Sequence, residues 1–459
     1  MFVRKVRRIH FVGIGGIGMS GIAEVLLNLG YHVSGSDLAA TPVTERLGVL
    51  GGRIAAGHDA ANVADAQVVV TSSAVRPDNP EVLEAHRRQI PVIPRAEMLA
   101  ELMRMKRGIA IAGAHGKTTT TSLVATILAA AELDPTAVIG GRLDAFGSNA
   151  RLGQGEFLVA EADESDGSFL ALSPIWSVIT TIDREHLDYW PDFERIRDAF
   201  AAFANKVPFY GAVFLGVDDP EVRGILPRVS RRVVTYGLAE GADVRGTDAA
   251  YEGSGSSCTV HAAGREIGRL TVPIPGPHNL ANALAAVAVG LELDLAPETV
   301  LGALATFRNA HRRFEVRGES NGVLVVDDYG HHPTEIRATL AAARRGFARR
   351  IVVAFQPHRY TRTRDLEAEF LGAFGDADLV FATEIYAASE EPIPGVTGER
   401  LAGLLAARGR PEVRFVRDKA ALPAALAAAV RPGDLVLTLG AGDIWKAGDG
   451  LLALLGATK

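Results

Sequence analysis

Residues 113–122 read GAHGKTTTTS, and the interpretation of this stretch decides how the chain is organised. A standard phosphate loop, G-x-x-x-x-G-K-[ST], would need glycine at position 111, where this chain has Ile111. What remains is G-x-x-G-K-T running into further threonines. The apolar run RGIAIAG precedes it and the helical pattern TTTTSLVATILAAAEL follows. A phosphate site requires this strand–loop–helix setting, because backbone N–H groups around Gly116 then face an anion at the positive end of a helix. Lys117 can neutralise β/γ-phosphate charge, and the Thr118 hydroxyl can ligate Mg²⁺. The plainer alternative is a glycine turn with threonines capping a helix. Thr119 to Thr121 are poor helix formers, so capping alone does not account for the run.

A Mg²⁺–nucleotide site also needs acids at neighbouring strand ends. VAEADESDGSF supplies Glu161, Asp163, Glu164 and Asp166 after one buried strand, and TTIDREHLDYW supplies Asp183, His186 and Asp188 after the next. Singly, each is an ordinary solvated loop residue. In a parallel sheet such strand ends open on one crevice, and together they favour a metal site.

A second glycine-rich loop lies a hundred residues earlier. In HFVGIGGIGMSG, Gly13, Gly15 and Gly18 have G-x-G-x-x-G spacing between a strand and a helix that the pattern runs from Ile17 to Leu29. The glycines permit a tight turn and a close backbone approach to a diphosphate. Asp37 follows nineteen residues after Gly18, where a ribose-binding acid would sit. A dinucleotide such as NAD is one reading. The motif itself specifies only a diphosphate-bearing ligand.

The bulk properties bound these readings. A chain of 459 residues suggests about three domains. With 48% hydrophobic and 22% charged residues it has an ordinary globular composition. A net charge of −6 without a long basic run argues against a nucleic-acid surface. The lone Cys258 excludes an internal disulfide and a cysteine-rich zinc site. Basic RKVRR before an apolar run resembles a signal peptide, but that run is full of glycine and leads to Glu24, so the cytoplasm is the expected location. No apolar stretch approaches the roughly 18 residues of a membrane span.

Three segments separate, at 1–103, 104–306 and 307–459. The first is a βαβ unit followed by a buried strand in AQVVVTSSA and a helix in PVIPRAEMLAELM. The second holds the GAHGKT loop and, from about 217 to 275, glycine-rich β-branched runs expected to form a peripheral antiparallel sheet. The third alternates VLVVDDYG, a helix from Pro333, RIVVAFQP, a helix from Arg364, ADLVFATEIY and DLVLTLGAGD, which implies another parallel α/β sheet.

Eight motifs in order give a specific resemblance: HFVGIGGIGMSGIAEVL, GAHGKTTTTS, EADESDGSF, HLDYW, GPHNLANALAA, HRRFE, DDYGHHPTEI and FQPHRYTRT. The chain resembles the Mur ligases, ATP-dependent amide-forming enzymes of cell-wall precursor assembly. The resemblance implies an α/β fold of three domains: a Rossmann-like UDP-sugar domain, a P-loop ATPase-like central domain and a Rossmann-like C-terminal domain. It also implies that the first loop holds the diphosphate of a UDP-sugar and that G-x-x-G-K-T is the family's own ATP loop. The implied reaction joins L-alanine to the lactyl carboxylate of UDP-N-acetylmuramate, with ATP and Mg²⁺.

Carried over by motif, Gly113, Gly116, Lys117, Thr118 and Thr119 serve the ATP phosphates, and Glu161 and His186 join Thr118 as metal ligands. His278, Asn279 and Asn282 approach ATP, Arg313 reaches the transferring phosphate, and Asp328 and His332 border the nucleotide. Gly13, Gly15, Gly16, Gly18, Ser36, Asp37 and Ser73 serve the UDP-sugar, and His358, Arg359 and Tyr360 the incoming amino acid. The expected partners are these substrates alone, without nucleic acid or membrane, in a monomer or weak homodimer. A murein peptide ligase using a tripeptide, an NAD-dependent dehydrogenase and an ATP-hydrolysing regulator are the competing readings. The dehydrogenase leaves the second loop and its acids unexplained.

Overall fold

The computed structural model describes residues 6–72, 74–143, 148–151, 153–186, 189–388 and 390–457. Three sheets organise the chain. The first is five-stranded and wholly parallel, in the order Arg53–Ala56, His32–Asp37, Arg8–Val12, Val68–Thr71, Val92–Pro94. Arg8–Val12 feeds the Gly13–Gly16 turn and then the helix Ile17–Asn28, as the glycine spacing requires.

The second sheet has ten strands. At its centre, Arg107–Ala112 lies between the parallel neighbours Trp176–Ile179 and Phe157–Glu161. In register, Ile111 faces Glu161 and Ala112 faces Ile179, so three loops leave the sheet side by side at its C-terminal edge. Beyond Ala212–Gly216 and Val233–Gly237, the sheet continues through Val244–Glu252, Gly255–Ala262 and Arg265–Val272. These last three are neighbours joined by two-residue links. So short a link admits only an antiparallel hairpin, which is the expected peripheral sheet. On the other side, Thr136–Leu143 and Ser148–Arg151 form an antiparallel pair that the sequence reading passed over.

The first sheet and most of the second lie in one compact unit, Met1–Asp248 with Cys258–Leu270 and Ala281–Ala310. A continuous apolar cluster runs through it, from Ile9, Phe11 and Ile22 to Met98, Leu99 and Met103 of helix Arg95–Arg104 and on to Phe169, Phe200 and Phe203. Each such side chain contributes roughly 1.5–3 kcal/mol on full burial. Buried Cys258 lies in this unit, and burial pushes its thiol pKa up to about 11, leaving it inert.

The second unit comprises Ala249–Ser257, Thr271–Leu280 and His311–Lys459. Its sheet orders as Glu315–Ser320, Val323–Asp328, Asp434–Leu439, Arg350–Phe355, Leu379–Ala382, Glu412–Phe415. Along Arg350–Phe355, Ile351, Val353 and Phe355 enter one apolar cluster while Val352 and Ala354 enter another. Alternate residues therefore bury both faces, as a parallel sheet covered by helices demands.

Two expectations need correction here. The edge strand Glu315–Ser320 is antiparallel, so the sheet is mixed. The helix expected from Arg364 begins at Tyr360 and is broken into Tyr360–Asp365 and Glu367–Leu371. No helix among the described residues is long and apolar enough to cross a membrane.

Candidate active site

The first loop is held from beneath. The N–H groups of Gly13 and Ile14 both donate to the Ser36 carbonyl at 2.9 Å, which forces the chain to turn where Gly13 takes φ +76°. Gly15 N–H donates to Asp37 Oδ2 at 2.8 Å. A Cβ at Gly15 would lie 2.8 Å from that oxygen, so glycine is needed for the approach. Gly16 precedes the helix without a side-chain cap, which leaves N–H donors for an anion.

The Ser36 side chain has a different role from the one expected of it. It is fully buried and donates to Glu81 Oε2 at 2.6 Å. Glu81 also accepts from Asn62 at 2.6 Å and from His58 at 3.3 Å, with His10 3.7 Å away. Burial opposes the Glu81 charge, but nearby His10 and the bonds from Ser36 and Asn62 win and hold the carboxyl pKa at about 2. Ser36 thus supports the loop through its carbonyl, while its hydroxyl belongs to a buried network. Ser73 lies outside the described residues.

In the second loop, Gly113 and Gly116 take φ +139° and +84°, conformations that side chains rarely adopt. The loop is tied to the adjacent strand end: Ala114 N–H donates to the Thr181 carbonyl and His115 N–H to Thr181 Oγ1, both at 2.9 Å. His115 Nε2 donates to Asp183 at 2.9 Å. Asn282 stands against Gly116, where a Cβ would meet its Oδ1 at 2.6 Å. That places the final asparagine of GPHNLAN at the loop. His278 and Asn279 begin the same helix, Pro277–Glu292, and Asn279 Nδ2 donates to the Pro275 carbonyl at 2.8 Å.

Lys117 folds back over its own loop. Its ammonium donates to the Gly113 carbonyl at 2.6 Å and to both Glu164 oxygens at 2.8 and 2.9 Å. Burial works against this ammonium, but Glu164, Asp163 and Glu185 outweigh it and hold its pKa above the ordinary lysine value. Asp163 is held down at about 2: burial opposes its charge, and Lys117, Ser165 and Arg95 more than offset that. Trp190 of HLDYW donates to the Glu164 carbonyl at 3.0 Å, which fixes the acidic loop. Thr118 and Thr119 are buried at the helix start.

Glu164, Glu185 and His186 present ligand atoms within 4.8 Å of one another. Two carboxylates and an imidazole suit a divalent cation that takes oxygen and nitrogen donors. His186 was anticipated for this role. Glu161 ends its strand three residues before Glu164, and Glu185 was not singled out. In a run of acids, only the loop's turns decide which carboxylate points inward.

In the second unit, Asp328 ends strand Val323–Asp328 and accepts from Phe314 and Gly330 N–H at 2.8 and 2.7 Å. Burial raises its carboxyl pKa to about 6 despite Arg313 and these donors. His332 is the N-cap of helix Pro333–Gly346, in a capping box with Glu335. Of the arginine pair in HRRFE, Arg312 is committed to Asp327 and to the carbonyls of Gly440, Ala441 and Gly442. Both guanidinium groups lie 5.2 Å from the centroid of the Tyr329 ring, and Arg313 also comes within 3.9 Å of Glu335.

His331, His358 and Tyr386 form a ring cluster with centroids 5.3 and 5.6 Å apart. His358 is held neutral, its pKa lowered to about 3 by burial and then by its neighbours His331, Arg362 and Arg359, and Arg362 lies 3.1 Å from its Nδ1. Arg359 takes φ +69°, a conformation costing about 1–3 kcal/mol that packing around the site must sustain. Tyr360 follows as the first residue of its helix.

Three Mur ligase profiles match in sequence: the family's catalytic domain at residues 8–107, its middle domain at 111–290 and its glutamate ligase domain at 312–442. The chain belongs to the Mur ligase family. Among its relatives, the UDP-N-acetylmuramate–L-alanine ligases of Geobacter sp. strain M21 and of Anaeromyxobacter dehalogenans strain 2CP-1 are each 58% identical, with 99% of both chains covered. The structure of a UDP-N-acetylmuramate–alanine ligase from Thermotoga maritima superposes with a TM-score of 0.83 at 32% identity, covering 98% of this chain and 100% of that one. A murein peptide ligase from Psychrobacter arcticus shares the fold at TM-score 0.70 and 23% identity, covering 99% of each chain.

Proposed function

We propose that the protein joins L-alanine to the lactyl carboxylate of UDP-N-acetylmuramate at the expense of ATP. The observation that carries this reading is the pair of uncapped glycine loops in one unit, the second armed with Lys117, in a chain collinear with alanine-adding relatives. The lactyl carboxylate attacks the γ-phosphorus of ATP, giving an acyl phosphate and ADP. The amine of L-alanine then attacks the acyl carbon. The tetrahedral adduct loses inorganic phosphate and the nitrogen loses a proton, leaving the amide.

Gly13, Gly15, Gly16 and Gly18 present backbone donors to the UDP diphosphate, with Asp37 beside them. Gly113, Gly116, Thr118 and Thr119 cradle the ATP phosphates, next to Asn282. Lys117 exchanges its Glu164 contact for phosphate oxygens and offsets the repulsion between carboxylate and phosphate. Glu164, Glu185 and His186 would hold Mg²⁺, with Glu161 and Thr118 as further candidates; the ion supplies charge neutralisation at the transferring phosphate. We assign His278, Asn279, Arg313, Asp328 and His332 to the nucleotide, and His358, Arg359 and Tyr360 to the amino acid. The reaction belongs in the cytoplasm, where nucleotide precursors are made.

The test is phosphate release from ATP with UDP-N-acetylmuramate, with and without L-alanine, and mass spectrometry of the product. Release that needs both substrates and yields the alanyl product is expected. Release only with the tripeptide L-Ala-γ-D-Glu-meso-diaminopimelate would convert the reading to a peptide ligase. Turnover indifferent to both substrates would replace it with a regulator.

A further inference from the structure

Arg95 holds an arrangement that the reaction above leaves unused. It is the first residue of helix Arg95–Arg104, where a cation opposes the helix dipole, so its charge must be held by something else. One arm of its guanidinium, NH2, donates to Asp163 Oδ2 at 3.0 Å. The other arm, NH1, lies against Gly18, and a Cβ at that position would collide with it. NH1 makes no hydrogen bond among the described residues.

Gly18 is the last glycine of the first loop and stands in the opening turn of helix Ile17–Asn28. Asp163 immediately precedes Glu164, which grips Lys117 of the second loop. One planar, two-armed cation therefore touches the end of the first loop and the acidic loop whose Glu164 grips Lys117 of the second. Its backbone is not free to drift, because Met98, Leu99, Leu102 and Met103 of the same helix are buried in the shared core. An anion arriving at the first loop must pull on NH1, and a rigid guanidinium transmits that pull to Asp163.

We propose that Arg95 is a positioning residue that couples the two nucleotide loops, so that the diphosphate of the UDP-sugar sets the placement of the acidic loop around Lys117. This rests on the reading of the first loop as the UDP-sugar site.

The test is calorimetric titration of the full-length protein with a non-hydrolysable ATP analogue and Mg²⁺, with and without saturating UDP-N-acetylmuramate. In the wild type, the UDP-sugar should change the analogue's Kd by about fivefold or more, the lower end of ordinary coupling between sites. In R95A the ratio should fall to about one. R95K should keep part of it, since it retains the charge but loses the fork. An unchanged ratio in R95A overturns the proposal, as does a wild-type ratio of one. Where R95A does not fold, R95K decides: an intact ratio overturns the proposal and a reduced one supports it. Failure of the wild type to bind UDP-N-acetylmuramate at all would defeat the function reading as well, whereas binding without coupling defeats only the role of Arg95.

Discussion

The two glycine loops begin alike and meet charge by different means. Both turn a parallel strand into a helix, and both helices start without a capping side chain, at Gly16 and at Gly116. Elsewhere in the same unit, Thr41, Asn79 and Asp192 cap their helices, whereas Arg95–Arg104 and Pro297–Ala305 also start without a side-chain cap. Leaving out the cap keeps N–H donors available for an anion. In the first loop the anion at hand is a side chain, because Gly15 N–H is taken by Asp37. In the second, the loop carries its own cation, and Lys117 is neutralised by Glu164. One loop thus relies on backbone dipoles and the other on full charges in a buried setting. Disrupting the second should cost more.

The largest effect is expected from Lys117→Ala. Loss of one preorganised electrostatic contact costs roughly 3–4 kcal/mol of transition-state stabilisation, about 10²–10³ in kcat. Near-normal phosphate release from this variant would show that the loop works through its backbone, as the first one does, and the contrast would collapse. Glu81→Gln should come next, and it probes the support beneath the first loop. Glu81 has its pKa depressed from 4.5 to about 2 on folding, so its contribution is present above pH 4.5 and is lost as pH falls towards 2. The shift corresponds to about 3 kcal/mol. Thermal melts from pH 7 to pH 3 should show the wild type losing stability more steeply than the variant, with the two converging in acid. Parallel curves would remove Glu81 from the pH response.

How much of this was legible beforehand follows from the same contrast. Strands such as Arg107–Ala112 and Val323–Asp328 were plain, because burial on both faces leaves unbroken apolar runs. The edge strand Glu315–Ser320 was not, since no residue of EVRGES is fully buried and it carries no apolar run. Lys117 and the glycines could be placed because their local geometry fixes their job. Glu164 was named only as one acid of a run, and Glu185 and Arg95 not at all, because each acts on a partner tens of residues away. Arg95 did leave one trace, a cation in the first turn of a helix, against the dipole. Ser36 stands beside the loop as its place in the chain suggested, and burial commits its hydroxyl to Glu81 while its carbonyl serves the turn.

A smaller effect should come from Gly116→Ala. Alanine at φ +84° is strained, and its Cβ would stand 2.6 Å from Asn282 Oδ1. A cost of about 1–3 kcal/mol is expected. It should appear as a KM for ATP raised about tenfold or more, with the KM for UDP-N-acetylmuramate little changed. Equal losses for both substrates would mean that the loops are not separable in this way, and would shift weight to the Arg95 connection.

The smallest effect sharpens the comparison most. In the first loop a diphosphate that needs Gly15 N–H must displace the Asp37 carboxylate, and it does so against like-charge repulsion. Asparagine at this position would surrender the N–H more readily and remove the repulsion. At a charge near a helix start this amounts to roughly 0.3–1 kcal/mol, so Asp37→Asn should tighten the binding of UDP about two- to fivefold. Affinity of the second loop for an ATP analogue should not move. Calorimetry with UDP itself isolates the diphosphate from any contact to the muramoyl group. Weaker UDP binding would show that Asp37 makes a ligand contact that outweighs its charge, as the acid of a dinucleotide site does at the ribose. The first loop would then hold its nucleotide by a side chain after all, and the difference between the loops would lie in the sign of that side chain alone.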